Sequence, residues 1–384
     1  MNPSLPWRAG TAPDFERDVH CLLGLPIDAV DMAGAEAAVR RAIRQGKPCF
    51  LSTPNLNFLV ACQEDADFRR SVIDSDLSIA DGMPLVWMAR LLGIPLPERV
   101  AGSGLMERLR RLGGGEPVKV YFFGGPDGAA AAAGRALEEE QGGLRCVGFA
   151  CPGFGSIEDM SSPALIDAIN ASGADFLVVA LGARKGQAWI QHNRARLAVP
   201  VVSHLGAVVN FVAGTVRRAP PWMQAAGLEW LWRIREEPAL WRRYWGDGRA
   251  LARLCLTRVL PWAWCERRLR PGAAELAAAA VDVDAGRPGL RLHGAWSRDN
   301  LARLRACLSP DLLAGRDLHL DMEDVTYVDS TVIGLLLLLH GYLGRQGRRL
   351  AIAPVSGPVR RLLEYGGAGF LLCPSTGWPS SSRR

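Results

Sequence analysis

Nine cysteines are scattered through the sequence and none form a C-x-x-C pair. An odd number of isolated thiols argues against a disulfide framework or a structural zinc and fits a reducing, cytosolic setting. Long hydrophobic runs are also missing. The longest, residues 332–339, is broken by a glycine, and a membrane-spanning helix needs about 18 apolar residues. Residues 1–15 are polar and proline-bearing, so no secretory signal is expected. Neither G-x-G-x-x-G nor the lysine–serine of a P-loop occurs, which excludes both nucleotide fingerprints. No H-x-x-x-H or carboxylate cluster suggests a metal, and none of the six histidines accompanies a nucleophile elbow. No internal repeat is visible.

What is present is length and apolar content. The 384 residues are 49% apolar, enough for two or three domains. The net charge of +6 is concentrated. Residues 217–270 hold twelve arginines, no lysine and five acids, a balance of +7, with seven of the twelve tryptophans (Trp222, Trp230, Trp232, Trp241, Trp245, Trp262 and Trp264). Interleaved arginine and tryptophan suit an anionic membrane surface or a nucleic acid, and also a densely packed helix edge.

From Val19 the text alternates in the α/β manner. Strands are expected in "VHCLLGLPI", "PCFLSTPN", "DLSIADG", "VKVYFFGG", "LRCVGFA", "ADFLVVALG" and "VPVVSHLG". Helices are expected over residues 32–44, 57–72, 83–92 and 129–140. Such alternation predicts a parallel sheet covered on both faces, with ligands at the carboxyl ends of its strands. Thr53, Asn55, Asp81, Gly124, Gly182 and Gly206 all fall at such ends. "FFGGPDGAAAAAG" reads as strand, glycine turn and helix. Its backbone N–H groups suit a phosphate, or the turn is only a tight connection. The small-residue stretch 271–289 reads as a linker, after which strands and helices resume.

Seven ordered motifs resemble the WecG/TagA/CpsF glycosyltransferases: "TPNLNFLV", "ADGMPLVWMARLLG", "PERVAGSGL", "VYFFGG", "VVALGARKGQAWI", "HLGAVVNFVAGTVRRAP" and "GLEWLWRIREEP" followed by "WRRY". The resemblance spans roughly residues 19–250. It implies inverting, metal-independent transfer of an N-acetylmannosamine-type or related hexose. The donor would be a UDP-sugar and the acceptor a saccharide on polyprenyl diphosphate. The setting would be surface polysaccharide synthesis, peripheral on the cytoplasmic membrane face. It assigns Asp81 as general base, with Gly82 allowing close backbone approach. An unperturbed aspartate has a pKa of about 3.9, so burial or a neighbouring phosphate has to raise it. Thr53, Asn55 and Asn57 fall beside the donor, as do Gly124, Gly125, Lys185, Gln187 and Asn210. Arg99 matches a diphosphate-holding residue, for which a guanidinium fork is suited. Arg218, Arg233 and Arg243 fall where the family closes its site and meets lipid. The chain departs from the family's pattern at Gly104, Arg184, Gly186, Gln187, Asn210 and Leu240.

"LHLDMEDVTYVDSTVIGLLLLL" resembles a STAS domain, in which Ser330 takes the position phosphorylated in regulatory members. A serine before a helix also serves as an ordinary cap, so phosphorylation and plain docking both stay open.

The expected architecture is a Rossmann-like α/β glycosyltransferase followed by a small α/β domain. It divides into a leader (1–18), a transferase domain (19–215), a basic tryptophan-rich appendage (216–270), a linker (271–289) and a STAS-like domain (290–378). No cofactor, metal or nucleic acid is expected. A protein partner through the STAS domain and homo-oligomerisation are left open. The rival expectation is a regulatory scaffold whose transferase domain senses a UDP-sugar without turnover.

Overall fold

The computed structural model describes residues 14–111, 116–153, 155–216, 218–225, 227–283, 289–313 and 317–372. Most of the expected leader, residues 284–288 of the expected linker and the last residues of the expected STAS domain lie outside them. The chain forms two compact units. The first comprises Asp28–Trp87 and Leu96–Leu251; the second comprises residues 14–27, Met88–Pro95 and the chain from Ala252 onward.

The segment "VHCLLGLPI" is a hairpin rather than one strand. Its arms, β1 (Val19–Leu22) and β2 (Leu25–Asp28), meet at Leu23 and Gly24, which have φ of 49° and 86°. Two consecutive left-handed residues make the tight reversal that right-twisted strands favour.

The first unit is built on six parallel strands: β3 (Cys49–Ser52), β4 (Leu77–Ser78), β5 (Val118–Gly124), β6 (Leu144–Ala150), β7 (Phe176–Ala180) and β8 (Val201–His204). Their order is β4-β3-β8-β7-β5-β6, so the chain reverses direction across the sheet. Strand β5 shows why its text is continuously apolar. Val120 and Phe122 enter one core, with Ala133, Val178 and Val209, while Tyr121 and Phe123 enter the other, with Ile166, Val179 and Trp189. The Phe123 and Trp189 rings stack at 4.2 Å. Burying each such side chain contributes about 1.5–3 kcal/mol. The expected helix over 57–72 is two helices, Leu56–Glu64 and Ala66–Ile73, because Asp65 ends the first and its carboxylate accepts from Phe68 N at 2.9 Å to cap the second.

The second unit carries a mixed sheet of β9 (Ala280–Val283), β10 (Gly289–Trp296), β11 (Leu318–Val328) and β12 (Leu350–Val355), ordered β12-β11-β10-β9. Only β9 is antiparallel to its neighbour. The expected linker therefore contains structure: a short helix, Ala273–Ala277, and the edge strand β9. The helix Ser330–Arg345 is the buried centre of this unit. Strand β1 lies against it so closely that a Cβ on Gly334 would overlap the Val19 carbonyl. Likewise a Cβ on Gly24 would stand 2.6 Å from the Gly367 oxygen. Residues 19–27, expected in the first domain, thus belong to the second unit. The expected appendage is also divided: Trp241–Leu254 runs into the π-turn Cys255–Val259 and Leu260–Leu269, and the boundary falls at Leu251.

Candidate active site

The carboxyl ends of β3 and β4 supply the site's centre. Thr53 follows β3 and is buried, and its methyl fills the space beside Gly102: a Cβ there would stand 2.9 Å from Thr53 Cγ2 and 2.5 Å from Leu205 Cδ2. Asn55 caps the helix Leu56–Glu64, its Oδ1 accepting from Phe58 N at 3.1 Å. The loop carrying Asp81 is pinned to the loop after β3, since Asp81 N donates to Pro54 O at 2.8 Å. Gly82 packs on Asn55, with room for a Cβ at 3.7 Å from the Asn55 Cβ. The spacing of the strand ends thus brings Thr53, Asn55, Asp81 and Gly82 together.

Asp81 keeps one face open to solvent, and burial of the rest pushes its carboxyl up to about 6. Gly102 N donates to its Oδ2 at 3.1 Å and, with the Arg99 and Arg233 charges, works against that rise; Glu229 adds to it. A carboxylate in this range is ionised at neutral pH yet basic enough to receive a proton.

Around Asp81 stand three guanidinium groups. Arg99 holds the Glu229 carboxylate in a two-pronged pair, Nη1 to Oε2 at 2.7 Å and Nη2 to Oε1 at 3.2 Å. Arg218 donates to Ser103 Oγ at 2.8 Å. Arg218 and Arg233 both lie over the Phe211 ring, at 5.6 and 5.5 Å. Arg243 pairs with Asp247, four residues on in its helix, at 3.9 Å. Asp247 is buried, which raises its carboxyl against the opposing Arg243 charge and a hydrogen bond from Asn57. Asn57 therefore meets the appendage helix. Glu229 and Asp247 are site residues that the sequence did not single out. Both stand inside arginine-rich text, where an acid reads as ordinary charge balance.

The glycine turn after β5 has the expected form. Gly124, Gly125 and Gly128 adopt φ of 86°, 95° and 77°, and the helix Ala129–Glu140 starts at Gly128 without a side-chain cap. Its first N–H groups suit an anion. Lys185 Nζ donates to Gly155 O at 2.5 Å and lines a shallow crevice of about 440 Å³ with Asp65, Phe68, Arg184 and Gln191. A second crevice, of about 350 Å³, lies against Gly104, Glu107, Arg108 and Arg111. Asp81 lines neither. Asn210 has its carbonyl committed to Thr215 and Val216.

Gln187 departs from its expected place. It is fully buried beneath β3, its Nε2 donating to Ser52 Oγ at 3.0 Å, so it supports the sheet instead of lining the cleft. Gly186 has a steric cause: a Cβ there would overlap the His204 ring. That buried ring is held by Leu181 O, 2.5 Å from Nε2, and burial lowers its basicity, so it stays neutral.

Ser330 lies in the second unit. It opens its helix after the Asp329 cap, is buried, and its Oγ lies 2.9 Å from His20 Nδ1 on β1.

The surface of the first unit exposes Trp222, Trp230, Leu231, Trp241 and Trp245. Among the described residues, no helix is long and apolar enough to cross a membrane.

Comparison with known proteins gives the families of the two parts. The family described as "Glycosyl transferase WecG/TagA/CpsF family" matches residues 20–263. The family described as "Mlab, STAS domain" matches residues 279–372. Two curated relatives are both named N-acetylglucosaminyldiphosphoundecaprenol N-acetyl-beta-D-mannosaminyltransferase. The one from Bacillus spizizenii is 28% identical over 199 residues, 52% of this chain and 76% of the relative. The one from Bacillus subtilis is 25% identical over 193 residues, 50% and 73%.

Proposed function

Since the chain belongs to the WecG/TagA/CpsF family of glycosyl transferases, we propose that it moves an N-acetylmannosamine-type sugar from a UDP-sugar to a saccharide on polyprenyl diphosphate. The names of the relatives support this acceptor class. The observation that carries the reading is Asp81: a carboxyl pushed up to about 6, oriented by Gly102 N, at the shared edge of β3 and β4. The acceptor hydroxyl oxygen attacks the anomeric carbon from the face opposite the UDP. The bond to the phosphate oxygen breaks and its electron pair leaves with UDP, while Asp81 takes the hydroxyl proton. The configuration at the sugar carbon inverts. The glycine turn after β5 would face the donor phosphates, and Arg99, Arg218 and Arg233 the diphosphate of the acceptor. The exposed tryptophans beside surface arginines would hold this unit on the anionic inner face of the cytoplasmic membrane.

The STAS-like unit is proposed as a docking module. Burial of Ser330 against His20 favours that role over phosphorylation, since a kinase needs an accessible hydroxyl. A second reading, a non-catalytic UDP-sugar sensor, draws on the departures at Gly186 and Gln187. Turnover separates the two. Radiolabelled transfer from a panel of UDP-sugars in EDTA should proceed with the wild type and fall about 100-fold or more in Asp81→Asn. UDP-sugar binding without transfer would favour the sensor, and an undiminished mutant would remove Asp81 from its role.

A further inference from the structure

The Arg99–Glu229 pair has an unusual setting. The helix Glu229–Glu236 has no buried residue, and it turns Trp230 and Leu231 outward. Trp232 and Ile234 are half-buried. Among its contacts in the first unit are the two bonds from Arg99 to Glu229, Arg233 over the Phe211 ring, and the Trp230 ring 6.3 Å from that of Tyr244. Glu229 is about one-third exposed, whereas Arg99 is 15% exposed. The arginine is fixed to the site, and the glutamate reaches in from outside.

The charges explain why an anion is held there. Arg99 and Arg218 repel one another, and both feel Glu229 and Asp81. Arg233 adds a third cation near Asp81. Glu229 contributes a single negative charge to this cluster, in the geometry by which a guanidinium fork grips a carboxylate or a phosphate. A diphosphate brings more charge and the same bidentate oxygens. Displacing Glu229 costs little, because its carboxylate already touches solvent and stands in the first turn of its own helix, where negative charge is favoured.

We infer that Glu229 is a built-in stand-in for the acceptor's diphosphate, which on binding takes the Arg99 fork and turns the Glu229 carboxylate out to solvent, while Arg233 on the same helix stays to meet that diphosphate. This rests on the reading above that the arginine cluster meets a diphosphate. The site is closed by its own chain until the substrate arrives.

The test uses the full-length protein, inorganic pyrophosphate as probe and EDTA throughout. Glu229→Gln should bind pyrophosphate about 5-fold tighter, because no internal anion competes. Glu229→Asp keeps the charge but is one methylene too short for the fork, so it should behave alike and covers the case in which Gln disturbs the fold. Arg99→Gln should abolish tight binding. Unchanged or weaker binding by both Glu229 variants would overturn the inference, leaving Glu229 as a residue that merely orients Arg99. Absence of pyrophosphate binding in every protein would overturn it too, and sugar transfer onto the lipid acceptor would then still uphold the transferase. Tighter binding by the variants in a protein that transfers no sugar would support the latch and defeat the transferase reading.

Discussion

Asp81 drew notice because an acid and a glycine stand where one apolar run stops and another begins, and its proposed role as base came from the resemblance to the family. Its pKa was not legible, since that depends on Gly102, Arg99 and Glu229, which arrive from distant positions. The sign of its pH dependence follows from the rise. For catalysis the ionised form is needed, so kcat/KM should climb with pH through about 6 and level off above. For stability the neutral form is favoured in the fold. The native state then binds more protons than the unfolded chain between the ordinary value of 3.8 and about 6, and stability falls as pH rises through that window. Asp81→Asn keeps an acceptor for Gly102 N and should remove this slope. Thermal melts at pH 4.5 and 7.5 should show the mutant gaining relative to wild type on the order of 1 kcal/mol at the higher pH. Gln187 marks the limit of reading by residue type. A polar residue beside a lysine at a strand end looks site-facing, and nothing local shows that its amide turns under β3 to Ser52.

At the scale of elements, buried strands were legible from their apolar runs, whereas the break at Asp65 was missed because its cap residue stands inside a continuous helical pattern. The β1–β2 hairpin was hidden because its reversal uses Leu23 at φ 49° in place of the Asn-Gly or Asp-Gly that such turns prefer. Strand β9 was hidden because an edge strand of alanine, valine and aspartate buries little and leaves no apolar signature. The helix after Gly182 and strand β8 illustrate a fit between elements. Gly186 is small because the His204 ring occupies the space. Gly186→Gln should therefore cost about 1–3 kcal/mol. The double variant with His204→Gly should recover most of that loss, a coupling that a denaturation cycle of the four proteins would measure. Additive losses would show that the two positions do not share the space. In the second unit, Tyr327 donates to Glu266, whose carboxyl is pushed up to about 7, chiefly by burial. Glu266→Gln should flatten the stability profile of this unit between pH 5 and 8, since the neutral amide has no proton to lose.

At the scale of the whole molecule, the two-part organisation was legible from the restart of the α/β pattern after residue 289. The placement of residues 14–27 was not, because contact across some 310 positions leaves no local trace: His20 reaches Ser330 and Arg305 reaches Arg17. Glycines at 24, 334 and 367 permit the approach. Gly334→Ala should push β1 from the helix and lower the stability of the second unit by about 1–3 kcal/mol. Hydrogen exchange should register this in β1 and in residues 330–345 while leaving β5 and β7 protected. Equal protection in wild type and mutant would show that β1 is not part of that unit.

This last arrangement sets an order of events during synthesis. His20 leaves the ribosome 310 residues before Ser330. At roughly 5–20 residues per second, β1 waits about 15–60 s for the helix that buries it. Throughout that interval β1 lacks Ser330, Gly334 and Gly366, which it meets in the finished fold, while the sheet of the first unit has already been made. The fold of the second unit is thus a loop closed last, and a chain that stops early leaves β1 exposed and accessible to chaperones.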